Sequence, residues 1–344
     1  FELATDEIQQ AIRALERAID DHNAWIAKWY RCIVCGLPVP GRFYSDRAHE
    51  LCSLGRWCRE GGIPLFRDHA DGLSIEGPID SFGVPARAVL PQDLTGRYPA
   101  IWLCTKAQHT QDATRALAPH LAEDGHVLSL QNGLNEMIIA DIVGAKRTLG
   151  AFINFGADYL GPGRILLGGR AAVVVGELDG STTPRLTETH RLLSLFEPDA
   201  IMTPNIWGYL WGKLGYGALL FATALTDDSI ADVLAMPRYR AMLGALATEL
   251  TSLARMQDVQ PLGFNGYDPA AFAADVDATA SFDAMVAHNR TSAKSHSGIW
   301  RDLAVRRRKT EVDPQLTLPL SIGADLGHPM PLTATLVTLV QDIE

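Results

Sequence analysis

Four places in the chain set reactive side chains where catalysis can use them. Lys213 lies in NIWGYLWGKLGYGALLFATAL, a run that would be apolar on nearly every side of a helix. A cation there is unfavourable unless it is paired. An ammonium, unlike a guanidinium, can also release a proton. The chain uses lysine sparingly, with only six Lys among 30 basic residues, so Lys213 and Lys106 stand out from an Arg-rich surface. Lys106 in CTKAQHT and Gln131-Asn132-Gly133 in LSLQNGL each follow a short apolar run. Ligands of open parallel sheets bind beyond such strand ends. Lys106 would start a helix, where the dipole disfavours a cation, and an anionic ligand would relieve that misfit. The fourth place is KSHSGIWRDLAVRRRKTEVD, with Ser297, Asp302 and Glu311 around one helix and the turn after it. Each has a plainer reading beside it. QNG is equally a tight turn, Lys106 a solvated helix start, Lys213 a snorkelling lysine, and Asp302 with the Arg306–Lys309 run a charged helix end.

The elements that must hold these residues follow from periodicity. AIWLCTK (100–106), HVLSL (126–130), LGAFINF (149–155) and AAVVVGE (171–177) are short, apolar and rich in branched residues. Helical stretches at 108–122 and 134–143 separate the first three, which predicts βαβ units and a parallel sheet. IPLF (63–66) reads as a further strand, and a polar region rich in Gly and Pro runs from there to Leu94. After Pro184 the strand signal stops. Helices are expected at 185–195, 206–224, 228–234, 238–257, 270–288, 294–307, 313–326 and 332–343. The domains expected are a helical N-terminal segment (1–60), a nucleotide-binding α/β domain (61–184) and a helical domain for substrate and dimerisation (185–344).

Composition narrows the function classes. Of 344 residues, 47% are hydrophobic and 20% charged, enough for a sizeable core. The net charge of −10 argues against nucleic acid as the main partner. No apolar run is long enough for a membrane span. Five unevenly spaced cysteines suggest a reducing compartment rather than a disulfide framework, so a cytoplasmic protein is expected.

Taken together and in this order, the four segments resemble the ketopantoate reductase (2-dehydropantoate 2-reductase) family over residues 66–344. The resemblance implies a Rossmann-like domain followed by an all-α domain like that of 6-phosphogluconate dehydrogenase. It also implies NADP, with NAD as the alternative, a small 2-oxo acid substrate and a homodimer. By the same resemblance Lys213 takes the place of the family's general acid, and Asn132 that of the asparagine positioning substrate and cofactor. Glu311 in KTEVD matches the glutamate beside that lysine, Lys106 the lysine near the nicotinamide, and Ser297 the serine holding the substrate carboxylate. Where ketopantoate-reducing members carry asparagines four and eight residues after the lysine, this chain has Gly217 and Phe221. That predicts a more apolar pocket and a different 2-oxo acid.

The front of the chain departs further. The one candidate for the glycine-rich phosphate turn is IVCGLPVPG, giving Gly36 and Gly41, with Pro38 where a second glycine belongs. Arg67 suits a 2′-phosphate and Asp68 a ribose hydroxyl. AIDDHNAWIAKWYRC with HELCSLGRWC resembles half of a chemoreceptor zinc-binding domain, in which His22 and Cys52 would be two ligands. Two protein ligands do not close a zinc site, so no metal is expected. The four cysteines Cys32, Cys35, Cys52 and Cys58 read as core residues. The competing hypothesis is therefore an inactive fusion of a partial metal-sensing module with a reductase C-terminal half.

Overall fold

The computed structural model describes residues 73–84, 94–161, 164–273, 275–292 and 295–344. It divides into two compact units. The first is built on a five-stranded sheet of β3 (Tyr98–Leu103), β4 (Leu121–Ser129), β5 (Thr148–Ile153), β8 (Val173–Glu177) and β9 (Ile201–Met202), in that spatial order. β3, β4 and β5 run parallel, β8 lies antiparallel to β5, and β9 is parallel to β8. These strands are almost continuously apolar because both faces are covered. Successive residues alternate between two cores. Ile101, Leu103 and Val127 pack with Ala113, Leu117 and Ile139 on one face. Trp102, Leu128, Leu149 and Val175 pack with Leu186 and Leu193 on the other. The helices α1 (Thr110–Leu117) and α2 (Asn135–Val143) thus cover the first face, and α3 (Pro184–Phe196) covers the second. The result is a three-layer α/β/α arrangement; the sequence pattern predicts its α/β class and parallel strands, and β8, read with them, runs antiparallel instead.

Two features were not expected. Inside the region read as irregular, β1 (Leu73–Glu76) and β2 (Phe82–Val84) form an antiparallel pair. β1 also runs parallel to β7 (Arg164–Leu167), which pairs with β6 (Ala157–Gly161), so a second sheet of order β2-β1-β7-β6 results. The other surprise is β9 itself, a two-residue strand after Pro184. The strand expected at 63–66 lies outside the described residues.

The second unit is helical: α4 (Ile206–Thr223), α5 (Ile230–Ala235), α6 (Pro237–Met256), α7 (Thr279–Thr291), α8 (Leu318–Asp325) and α9 (Pro331–Ile343). α4 packs on α6 and α9, and α5 on α7. Glu249 of α6 accepts the backbone N–H groups of Leu332 and Thr333 at 2.9 and 2.8 Å, which caps the start of α9. This unit also takes in two short stretches that follow sheet strands in the chain, Lys106–Thr110 after β3 and Gln131–Ile138 after β4. Among the described residues no helix is long and apolar enough to cross a membrane.

Candidate active site

Every candidate residue that the structure describes belongs to the second unit. α4 begins at Asn205, whose side chain accepts the Gly208 N–H at 2.9 Å. Its glycines let backbone lie against it. A Cβ on Gly212 would collide with the Leu262 carbonyl, and the Leu262 N–H donates to the Gly208 carbonyl at 2.8 Å. Lys213 follows directly, between Trp211 and Leu214, which are buried. Its ammonium is therefore carried on a backbone clamped from outside the helix.

Lys213 is half-buried, and its environment shifts its acidity. Burial lowers the pKa from 10.5 to about 8, while the charges of Glu311 and then Glu136 oppose that fall. Glu136 occupies the first turn of α2 and is completely buried. A lone acidic residue there reads as an ordinary complement to the helix dipole, which is why its spacing gave no warning.

Glu311 is the hub of the site. Its Oε2 lies 2.9 Å from Lys106 Nζ, and its Oε1 accepts the Ala107 N–H at 2.9 Å. The latter bond satisfies a donor at the start of the short turn Ala107–His109. The carboxylate thereby resolves the misfit of a cation at a helix start. Thr310, next to it, donates both its N–H and its hydroxyl to the Glu344 carboxylate, at 2.7 and 2.6 Å. That anchors the KTE segment on which Glu311 sits.

The QNG turn is braced by Thr110 and Asn135, which were not singled out from the sequence. Gln131 donates its side-chain amide to Thr110 Oγ1 at 2.8 Å, and the Thr110 hydroxyl donates to Asn135 Oδ1 at 2.7 Å. Asn135 in turn donates to the Asn132 carbonyl at 2.6 Å. Thr110, Gln131 and Asn135 are all buried, so breaking this chain would strand polar groups away from water. Gly133 has φ of +94°, which a side chain would resist. The backbone of Asn132 is fixed on both sides. Its half-buried side-chain amide makes no hydrogen bond to any described residue.

Ser297 is buried and caps the turn Gly298–Trp300, accepting the Trp300 N–H at 3.1 Å. That turn packs on α4. Capping uses only a lone pair, so this bond leaves the hydroxyl proton uncommitted. Asp302 is absorbed locally, accepting from Arg306 at 2.9 Å and Arg308 at 3.0 Å. Phe221 is completely buried in the packing of α4 and lines no opening. Gly36, Gly41 and Arg67, and the zinc-module residues His22 and Cys52, lie outside the described residues. Among the described residues no group of three or more metal-ligand side chains occurs.

Lys106 keeps a partly exposed cation after β3, paired with Glu311, while Gly133 after β4 is covered by the Gln315 and Asn135 side chains.

Comparison with known proteins places this arrangement. The family model described as Ketopantoate reductase PanE/ApbA matches residues 64–180, and that described as Ketopantoate reductase PanE/ApbA C terminal matches 205–344. A 2-dehydropantoate 2-reductase of Archaeoglobus fulgidus is 27% identical over 246 residues, covering 71% of this chain and 76% of that one. The crystal structure of a 2-dehydropantoate 2-reductase from Geobacter metallireducens superposes with a TM-score of 0.69 at 21% identity. It covers 86% of this chain and 96% of its own. D-mandelate dehydrogenase, solved with NADH and anilino(oxo)acetate, superposes at 0.68 with 19% identity, covering 80% and 85%. The α/β unit, the helical unit and the lysine–carboxylate cluster thus define an oxidoreductase. The chain belongs to the ketopantoate reductase PanE/ApbA family.

Proposed function

We propose that this protein reduces the carbonyl of a small 2-oxo acid, with NADPH as the reductant and NADH as the alternative, and with Lys213 as the general acid. The observation that supports this most directly is Glu311, which binds Lys106 and at the same time opposes the fall in the pKa of Lys213. The reduced nicotinamide supplies the hydride when bound. Lys213 stabilises the negative charge that develops on the carbonyl oxygen and then donates its proton there. Glu311 and Glu136 keep that ammonium charged before the reaction. Asn132 orients substrate and cofactor with its uncommitted amide. Ser297 offers its hydroxyl proton to the substrate carboxylate. Lys106 attracts the negative charge of the cofactor, to which Arg67, Gly36 and Gly41 contribute as the sequence expects. The protein acts in the cytoplasm as a homodimer built on the helical unit, where Leu339 and Ile343 of α9 are exposed. An inactive fusion has no use for a lysine–glutamate–lysine cluster, and the reductase reading is preferred for that reason.

The test is a panel of 2-oxo acids assayed with NADPH and NADH by cofactor absorbance, on the native chain and on Lys213→Ala. Reduction by the native chain and a kcat lower by about two orders of magnitude in the variant are expected, the usual range for losing an acid. An unchanged kcat in Lys213→Ala removes Lys213 from the reaction.

A further inference from the structure

The replacement of polar side chains after Lys213 by Gly217 and Phe221 suggests an apolar pocket, but the space over Gly217 is not apolar. The Gln315 side chain borders it. Its Oε1 lies 3.8 Å from where a Cβ on Gly217 would stand, and its Cγ lies 3.3 Å from the corresponding point on Gly133. Gln315 is only 8% exposed, yet its side-chain amide makes no hydrogen bond to any described residue. An amide that meets no protein partner in so enclosed a place is free to bond a ligand or water.

Its three neighbours locate that use. Gln315 stands one turn after Glu311, whose carbonyl accepts the Gln315 N–H at 3.1 Å. Gly217 stands one turn after Lys213 on the same face of α4. Gly133 directly follows Asn132. The amide therefore sits one step beyond each of three residues proposed to act on the carbonyl. Four residues of helix advance about 6 Å. Side chains lean toward the helix N-terminus, so Lys213 leaves the space over Gly217 clear.

We infer that Gln315 is a specificity-determining residue whose amide hydrogen-bonds a hydroxyl or carbonyl substituent on the 2-oxo acid, a few bonds from the reacting carbonyl. The inference rests on the reductase reading above and assigns the residue of this chain that reads the side chain of the 2-oxo acid. Gln315 offers both a donor and an acceptor there. A site with such a group discriminates against the analogue that leaves it unpaired.

The experiment compares 4-hydroxy-2-oxobutyrate with 2-oxovalerate, close in size and differing in the terminal hydroxyl. Each is assayed for kcat/KM with the native chain, Gln315→Leu and Gln315→Met. The native chain should prefer the hydroxylated acid. Both variants should lower the ratio of the two kcat/KM values by about tenfold, the worth of one hydrogen bond to a buried group. Because the readout is a ratio within one preparation, partial misfolding of a variant cancels. A native preference for 2-oxovalerate, or a ratio unchanged in both variants, overturns the assignment of Gln315 and leaves the reductase reading intact. Failure of the native chain to reduce any 2-oxo acid overturns both.

Discussion

Replacing Glu311 by Gln separates the charge of the carboxylate from its shape. Gln keeps an oxygen for the Ala107 N–H, which Glu311 now accepts at 2.9 Å, so the local backbone should hold. What it loses is the negative charge. That charge is the larger of the two carboxylate influences that oppose the fall in the pKa of Lys213, Glu136 being the second. The loss of an adjacent opposite charge moves a pKa by about one to three units. Lys213, now at about 8, should therefore drop to about 7 or lower in Glu311→Gln. At pH near 7.5 the charged fraction would fall from about three-quarters to about one-quarter, a loss of about threefold in available acid. The assay is kcat/KM for carbonyl reduction across the neutral and alkaline range, where the descending limb reports the essential acid. The limb should move down by about a unit, and activity should be regained as pH falls toward about 6. Any loss that persists there measures positioning. Glu136→Gln should shift the limb the same way by less. A limb that stays at about 8 in Glu311→Gln would refute an electrostatic role for this carboxylate.

Two further outcomes follow from neighbouring charges. Removing the cation in Lys106→Met frees Glu311 from its 2.9 Å ion pair, so the same limb should move up rather than down, with the cofactor KM raised; a downward shift would contradict the shared carboxylate. In the first unit, His126 is buried and its pKa falls from 6.5 to about 4, chiefly by burial and then by the charge of Arg185. The unfolded chain accepts that proton first, so stability should be full above pH about 6.5 and decline toward about 4, by about 3 kcal/mol in all. Urea midpoints at the two ends of that window should differ less in His126→Phe than in the native chain, and an equal decline would remove His126 as the cause.

Much of this was legible in the sequence, and the reasons differ by residue. The strands of the main sheet announce themselves because burial on both faces demands an apolar run, as in Val173–Val175. Lys213 was legible because a cation inside an apolar helix has few reasons to be there. The small sheet was not, since LSIE and FGV are short and mixed in character and their order comes from pairing with β7. The bracing of Asn132 was invisible for another reason. Thr110 and Gln131 are 21 residues apart, and hydroxyls and amides in helix starts and turns look alike whether they face water or one another. Gln315 is the extreme case, an unremarkable polar residue until its glycine neighbours are known.

The site also explains why two carboxylates serve one buried lysine while a second lysine holds the larger of them. Burial lowers the pKa of Lys213, and the charges of Glu311 and then Glu136 oppose that fall. Glu311 is also held by Lys106 at 2.9 Å, and Glu136 supplies a second charge that opposes the effect of burial. The value of about 8 that results is an intermediate one, set by competition rather than by a single contact. Such a balance is sensitive to any anion that takes Lys106 away from Glu311, because the released charge then acts on Lys213. If Lys213 is the acid, binding of a negatively charged ligand at Lys106 and the charging of Lys213 would be coupled through one carboxylate. The opposite shifts expected for Glu311→Gln and Lys106→Met are the two ends of that coupling.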